Sequence, residues 1–278
     1  MEIESFRRER DEARANILAL EQLMQAKSLS LSSVEGNDEN SATHQVQDQE
    51  RMDNSNNIIN IDMNGCVDNH SIDVTVNALQ KGGIVAVPTD TLYGLTANVS
   101  CPQSIKKIFE IKKRNISNSL AICVSEIEDI KIWANVPDPL IPLLEELLPG
   151  PVTVLLTRSS NLPITFNVGN PLVGVRIPQN SFLRQVVKSL GTPIALTSAN
   201  VSGSESTLST QEFKPLWHKL DLVVDGGVIG ESATHSRSGS TIIDLSNIPK
   251  YTIVRRGMDY ERILKILKEK YHLEEKLI

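Results

Sequence analysis

The sequence predicts an α/β domain around one mostly buried mixed sheet, and three observations carry that expectation. From residue 71 onward, short apolar runs of strand length alternate with segments of helical periodicity. Glycine and proline punctuate most junctions between them. No internal repeat divides the chain into similar units, which points to a single sheet with helices packed against it.

In chain order, residues 71–81 read as a helix closed by Gly82 and Gly83. Residues 84–87 form a short apolar strand ending at Pro88. Residues 103–113 are helical, with Ile105, Ile108, Phe109 and Lys112 at helical spacing. Residues 120–124 have the composition of a buried strand. Helices follow over 129–134 and 140–148, the second ended by Pro149-Gly150-Pro151. Strands at 152–157 and 173–177 precede a helix over 182–190, which Gly191 stops. A strand at 194–197, a helix at 210–218, and strands at 222–225, 241–245 and 252–255 lead to a closing helix at 260–271.

The first 70 residues are of another kind. They hold 14 acidic and 6 basic residues, against 20 acidic and 22 basic in residues 71–278. Residues 2–27 read as a charged helix with Ile17, Leu18, Leu20, Leu23 and Met24 on one side. Residues 28–70 are rich in Ser, Asn, Asp, Glu and Gln and contain no aromatic residue. Such a stretch buries too little apolar surface to offset chain entropy, so disorder is expected. The chain then divides into an acidic leader over 1–70, a working domain over 71–260 and a C-terminal helix over 261–278.

Several classes are excluded. No apolar run approaches the ~18–20 residues of a membrane helix. Cys66, Cys101 and Cys123 cannot build a disulfide framework, which favours a reducing compartment. Five scattered histidines without HExxH or a Cys/His cluster argue against zinc. The leader has no apolar core of a secretory signal, and its early acids are unlike a mitochondrial presequence. The cytoplasm is the expected compartment, with mitochondrial import left open. Neither a P-loop nor a GxGxxG nor a GxSxG elbow is present. The near-neutral working domain weakens a broad nucleic-acid surface, so RNA contact is expected to be weak or indirect.

Four clusters at element ends carry chemistry. Pro88-Thr89-Asp90-Thr91-Leu92-Tyr93-Gly94-Leu95 follows a strand, where open α/β sheets place ligands; a turn capped by Asp90 explains it equally. Lys112, Lys113 and Arg114, with Asn118 beyond, either complement a helix dipole or converge on anionic oxygens. Thr197-Ser198-Ala199-Asn200, with Ser206 beyond, suits close approach to a phosphate or opens the next segment as a cap. The last group is Arg176 between Val175 and Ile177, Ser240 after Gly239, and Arg255. A cation inside an apolar strand needs an anion, either a substrate or a buried structural carboxylate.

Together, Gly83-Ile84-Val85-Ala86-Val87-Pro88-Thr89-Asp90-Thr91-Leu92-Tyr93-Gly94-Leu95, Lys112-x-Arg114, Pro149-Gly150-Pro151-Val152-Thr153, Val175-Arg176-Ile177-Pro178, Ser198-Ala199-Asn200 and Asp225-Gly226-Gly227 resemble the YrdC family of threonylcarbamoyl-AMP synthases. The likeness runs from about Val74 to Gly257 and is closest to the short eukaryotic form of the family. It implies a three-layer α/β fold around a twisted mixed sheet, with residues 71–260 as the catalytic domain. It also implies a reaction: L-threonine and bicarbonate give N-carboxythreonine, which attacks the α-phosphorus of ATP and releases pyrophosphate. Mg²⁺ would accompany ATP. The product would pass to a separate tRNA threonylcarbamoyl transferase complex.

By resemblance, Thr91, Arg176 and Ser240 correspond to threonine-side contacts, and Cys123 and Leu196 to positions lining the amino-acid pocket. Lys112, Arg114, Asn118, Ser198, Asn200, Ser206 and Arg255 correspond to nucleotide-side positions. Lys112 and Arg114 are expected to be catalytic, neutralising charge as pyrophosphate departs. No metal ligand is expected in the protein itself. Asn118-Ser119 stands where many members have Lys-Pro, and Arg256 where a proline is common. An RNA-binding or ribosome-associated role of the same fold is the alternative.

Overall fold

In the computed structural model, the described residues are 57–63, 67–113, 119–230 and 237–276. The expected helix over 2–27 and most of the polar leader lie outside them. Eleven strands form one sheet: β1 (Ile58–Asn60), β2 (Val85–Pro88), β3 (Tyr93–Asn98), β4 (Ala121–Cys123), β5 (Val152–Thr157), β6 (Leu172–Arg176), β7 (Ile194–Ser198), β8 (Leu222–Asp225), β9 (Thr241–Asp244), β10 (Lys250–Arg255) and β11 (Glu274–Glu275). Their order is β1-β8-β2-β3-β7-β4-β6-β5-β9-β10-β11. Pairing is mixed: β3 lies antiparallel between β2 and β7, while β4 runs parallel to β6 and antiparallel to β7.

Helices cover both faces. On one side lie α1 (Asn69–Gln80) and α5 (Ser181–Leu190), which pack on the sheet through a shared apolar cluster. The side chain of Asp68 caps α1 by accepting from the amides of His70 and Ser71. Asn180 caps α5 through the amide of Leu183, and Gly191 ends it at φ 73°. Phe182, Leu183, Val186, Val187 and Leu190 form the buried stripe of α5. Each such side chain contributes about 1.5–3 kcal/mol on burial. On the other side lie α2 (Pro102–Lys112), α3 (Ile127–Trp133), α4 (Ile141–Leu147) and α6 (Tyr260–Lys265), packed in the larger cluster. This is the expected three-layer α/β arrangement. No helix among the described residues is long and apolar enough to cross a membrane.

The structure revises three boundaries. The expected disorder does not extend to residue 70: β1 pairs in parallel with β8, Ile58 opposite Val223, and α1 begins at Asn69. The three-residue strand sits among asparagines and shows no alternation long enough to read. The closing helix expected over 260–271 is present over 260–270, α-helical and then π-helical, but it does not stand apart from the domain and the chain beyond it adds β11. Ile263, Ile266 and Leu267 are buried in the larger cluster, and Lys250 of β10 pairs with Glu274 of β11. The expected helix over 210–218 is a 3-10 segment, Thr210–Lys219, broken at Phe213 two residues before Pro215.

Candidate active site

Strand alternation gathers the site. Directly paired residues share a face of the sheet. Ala121 pairs with Leu196 and Gly174, Cys123 with Arg176, Gly94 with Ser198, and Thr153 with Ile242. That face also carries α1 and α5. A cleft of about 180 Å³ opens there. Ten of its lining residues carry a hydroxyl, and Arg176 and Arg255 stand with them; no described lining residue is acidic. Such a wall suits an oxygen-rich anionic ligand.

The turn between β2 and β3 supplies one end. Thr89 Oγ1 accepts from the amides of Thr91 and Leu92, fixing the turn from within. This leaves Asp90 to reach Arg176 at the end of β6. Arg176 Nη2 donates to Asp90 Oδ1 at 2.7 Å and lies 3.4 Å from Thr91 Oγ1. Asp90 Oδ2 accepts from the amide of Gln179 at 3.1 Å. Arg176 therefore has a protein carboxylate as partner, and it also lines the cleft. Its Nε is buried without an acceptor among the described residues. An unmet buried donor costs about 1–3 kcal/mol.

The other side is a clamp on Ser240. Ser240 Oγ is 2.8 Å from Thr153 Oγ1, and Arg255 Nη2 donates to Ser240 O at 2.7 Å. Gly257 permits this approach: a Cβ there would stand 2.5 Å from the Ser240 carbonyl. Gly94 acts similarly on the floor, where a Cβ would meet Leu196 Cδ1 at 2.6 Å.

Behind the wall, Lys112 is buried and Nζ donates to Asn200 O at 2.7 Å and Ser198 O at 2.5 Å. The Asn200 side chain bonds Lys112 and donates to Ser204 O at 2.6 Å. Lys112 and Asn200 thus brace the loop after β7 and are not among the lining residues. Lys112, expected to be catalytic, holds these two carbonyls from the end of α2. Arg237 Nη1 holds Ser206 O at 2.6 Å and bonds Glu212.

Of the expected site residues, Thr91, Arg176, Leu196, Ser198, Ser206, Ser240 and Arg255 line one cleft. Cys123 does not. It is fully buried in the apolar cluster with Ile194 and Phe182, and burial pushes its thiol up to about 12. Arg114 and Asn118 lie outside the described residues. Sequence reasoning missed Thr153, Ser238 and Arg237 as contributors. Isolated Ser and Thr residues in strands carry no spacing signal, and Arg237 looks like an ordinary surface cation.

The fold and cleft define an α/β domain built to hold a polar, anionic small molecule against a hydroxyl-rich wall. The sequence model of the Sua5/YciO/YrdC family, described as Telomere recombination, matches residues 77–257, and the chain belongs to this family. The chain is similar to threonylcarbamoyl-AMP synthase of Rattus norvegicus, 44% identical over 199 residues that span 71% of each chain. The Homo sapiens protein of the same name is 42% identical over 199 residues, again 71% of each. Among solved structures, Pyrococcus abyssi Sua5 complexed with L-threonine matches at a TM-score of 0.69 and 30% identity. That match covers 79% of this chain and 62% of the archaeal one.

Proposed function

We propose that this chain is a threonylcarbamoyl-AMP synthase, forming threonylcarbamoyl-adenylate and pyrophosphate from L-threonine, bicarbonate and ATP for tRNA threonylcarbamoyladenosine modification. The observation that carries the reading is Arg176: a buried guanidinium in the cleft wall with an unmet Nε, beside the Thr91 hydroxyl. A substrate carboxylate would complement its charge. The relatives named above support the same activity.

The threonine amine attacks the carbon of bicarbonate, and water leaves. An oxygen of the new N-carboxylate, the carbamate group of N-carboxythreonine, then attacks the α-phosphorus, and the bond to the bridging oxygen of pyrophosphate breaks. The attacking carboxylate is already ionised, so this second step asks for alignment and charge neutralisation rather than a base. Arg255 stands at the cleft to meet phosphate charge, and the hydroxyl wall fixes the remaining oxygens. No group of three His, Cys, Asp or Glu among the described residues could hold a metal. Mg²⁺ accompanying ATP would supply further neutralisation of phosphate charge. The product would go to a separate transferase complex acting on tRNA.

Incubation with ATP, bicarbonate and either threonine or serine tests the reading. Threonine-dependent release of pyrophosphate with the matching adenylate is expected. Pyrophosphate release indifferent to threonine would sink it.

A further inference from the structure

Where the chain enters β4, the backbone of Leu120 is bonded to a side chain. Asn167 Oδ1 accepts from the Leu120 amide at 2.9 Å, and Asn167 Nδ2 donates to the Leu120 carbonyl at 2.8 Å. A neighbouring strand would bond the same two groups. The carboxamide thus acts as a one-residue strand beside the chain that becomes β4. Three residues on, Asn170 Nδ2 donates to Ser119 Oγ at 2.7 Å. Ser119, Leu120 and Ala121 are consecutive lining residues of the cleft.

The support continues outward. Asn167 is 8% exposed and sits at φ 51°, which asparagine tolerates better than most residues. Arg158, at the end of β5, holds the loop from behind. Its Nη1 donates to Phe166 O at 2.8 Å, and its Nη2 to Leu162 O at 3.0 Å and Pro163 O at 2.8 Å. Rigid contacts therefore run from Arg158 through Phe166 and Asn167 to Leu120 and the cleft wall. Asn167 itself is not a lining residue.

We infer that Asn167 is a positioning residue for the reaction, setting the Ser119–Ala121 wall at the end of the cleft remote from Arg176. Cys123 is the residue opposite Arg176, and Ser119 is four residues up the chain from it. At ~3.3 Å per residue that is up to about 13 Å. With the amino acid's carboxylate at Arg176, this remote wall faces the nucleotide. The inference rests on the proposed adenylate synthesis.

The test is steady-state kinetics on the full chain. Asn167→Gly removes both bonds while suiting the left-handed backbone. It should raise the apparent KM for ATP about five- to tenfold and leave that for threonine within about twofold. Asn170→Ala should shift the ATP requirement in the same direction by a smaller factor. A folded Asn167→Gly with unchanged ATP dependence overturns the inference, as does an equal rise for both substrates with a lowered Tm. Where Asn167→Gly does not fold, Asn170→Ala decides: a selective ATP effect supports the role and its absence overturns it. A wild-type protein that makes no adenylate removes the functional reading and this role with it. An active wild type matched by Asn167→Gly removes this role alone.

Discussion

Arg176 Nη2 and Asp90 Oδ1 lie 2.7 Å apart, with side chains only 9% and 8% exposed. The pair ties the end of β6 to the turn between β2 and β3, so the cation proposed to meet the substrate is also a fastening of the fold. Arg176→Met keeps much of the apolar stem but strands a buried carboxylate, and should cost about 3–5 kcal/mol of stability. Adding Asp90→Asn should restore most of that loss, because both charges are then gone. Threonine use should not return in the double variant. Thermal melts beside threonine titrations read both effects; a double variant with wild-type threonine dependence would remove Arg176 from the substrate site.

Lys112 can be separated from Arg255, the cation proposed to meet phosphate charge. Its ammonium bonds the carbonyls of Ser198 and Asn200, so Lys112→Met should loosen the loop after β7. A lost charge-assisted bond costs about 1.5–3 kcal/mol. A lowered Tm should accompany weaker ATP use. For Arg255→Ala, in contrast, the ATP requirement should rise with a smaller change in Tm. Equal melting losses in the two variants would contradict this division.

Gly257 and Gly94 are the backbone positions that set the cleft's width. A Cβ on Gly257 would stand 2.5 Å from Ser240 backbone atoms, which have no rotamer to yield. Gly257→Ala should therefore cost about 1–3 kcal/mol and lower kcat/KM, as overpacking does. Gly94→Ala meets chiefly the end of the Leu196 side chain, at 2.6 Å, with the Thr197 carbonyl oxygen at 3.2 Å, so it should fold better than Gly257→Ala while narrowing the pocket. Its expected signature is a raised apparent KM for threonine; a raised KM for ATP alone would contradict it.

Truncation locates the start of the domain. Residues 55–278 form one compact unit, and β1 with the Asp68 cap lies within its first part. Removing residues 1–54 should leave the Tm and adenylate synthesis near wild type. Removing residues 1–70 deletes β1 and the cap, and the cap alone is worth about 0.5–2 kcal/mol. Equal melts for the two truncations would show that β1 contributes nothing.

The thiols should react in a fixed order. A hydrogen bond from Ser104 lowers the Cys101 thiol below its ordinary value, and Cys101 is half-buried. Cys123 is buried with its thiol raised to about 12, so little thiolate exists at neutral pH. Iodoacetamide at pH 8, followed by peptide mass spectrometry, should label Cys101 well before Cys123. Early labelling of Cys123 would place it at the cleft after all.

Much of the fold was legible because strong signals coincide with element ends. The runs at 152–157 and 222–225 match β5 and β8, and Gly191 stops α5 as its sequence implies. Strand β3 was not legible. Tyr93-Gly94-Leu95-Thr96-Ala97 is buried on both faces, so it shows no alternation, and glycine and alanine are poor strand formers. The site was legible where charge or motif stood out, as at Arg176 and Ser198. It was not legible which residues stand back from the cleft, as Cys123 and Lys112 do, because that depends on which way a side chain leaves its element. Asn167 left no sequence signal, because a carboxamide standing in for a strand depends on pairing across 47 positions.

The sheet order has a consequence for behaviour at high concentration. Among the described residues its outermost strands are β1, three residues long, and β11, two residues long and wholly glutamate. Each presents very few open amides and carbonyls to a passing chain, and the second also carries like charge. Strand-to-strand templating, the usual route by which sheet proteins aggregate, is thereby denied a foothold at both margins.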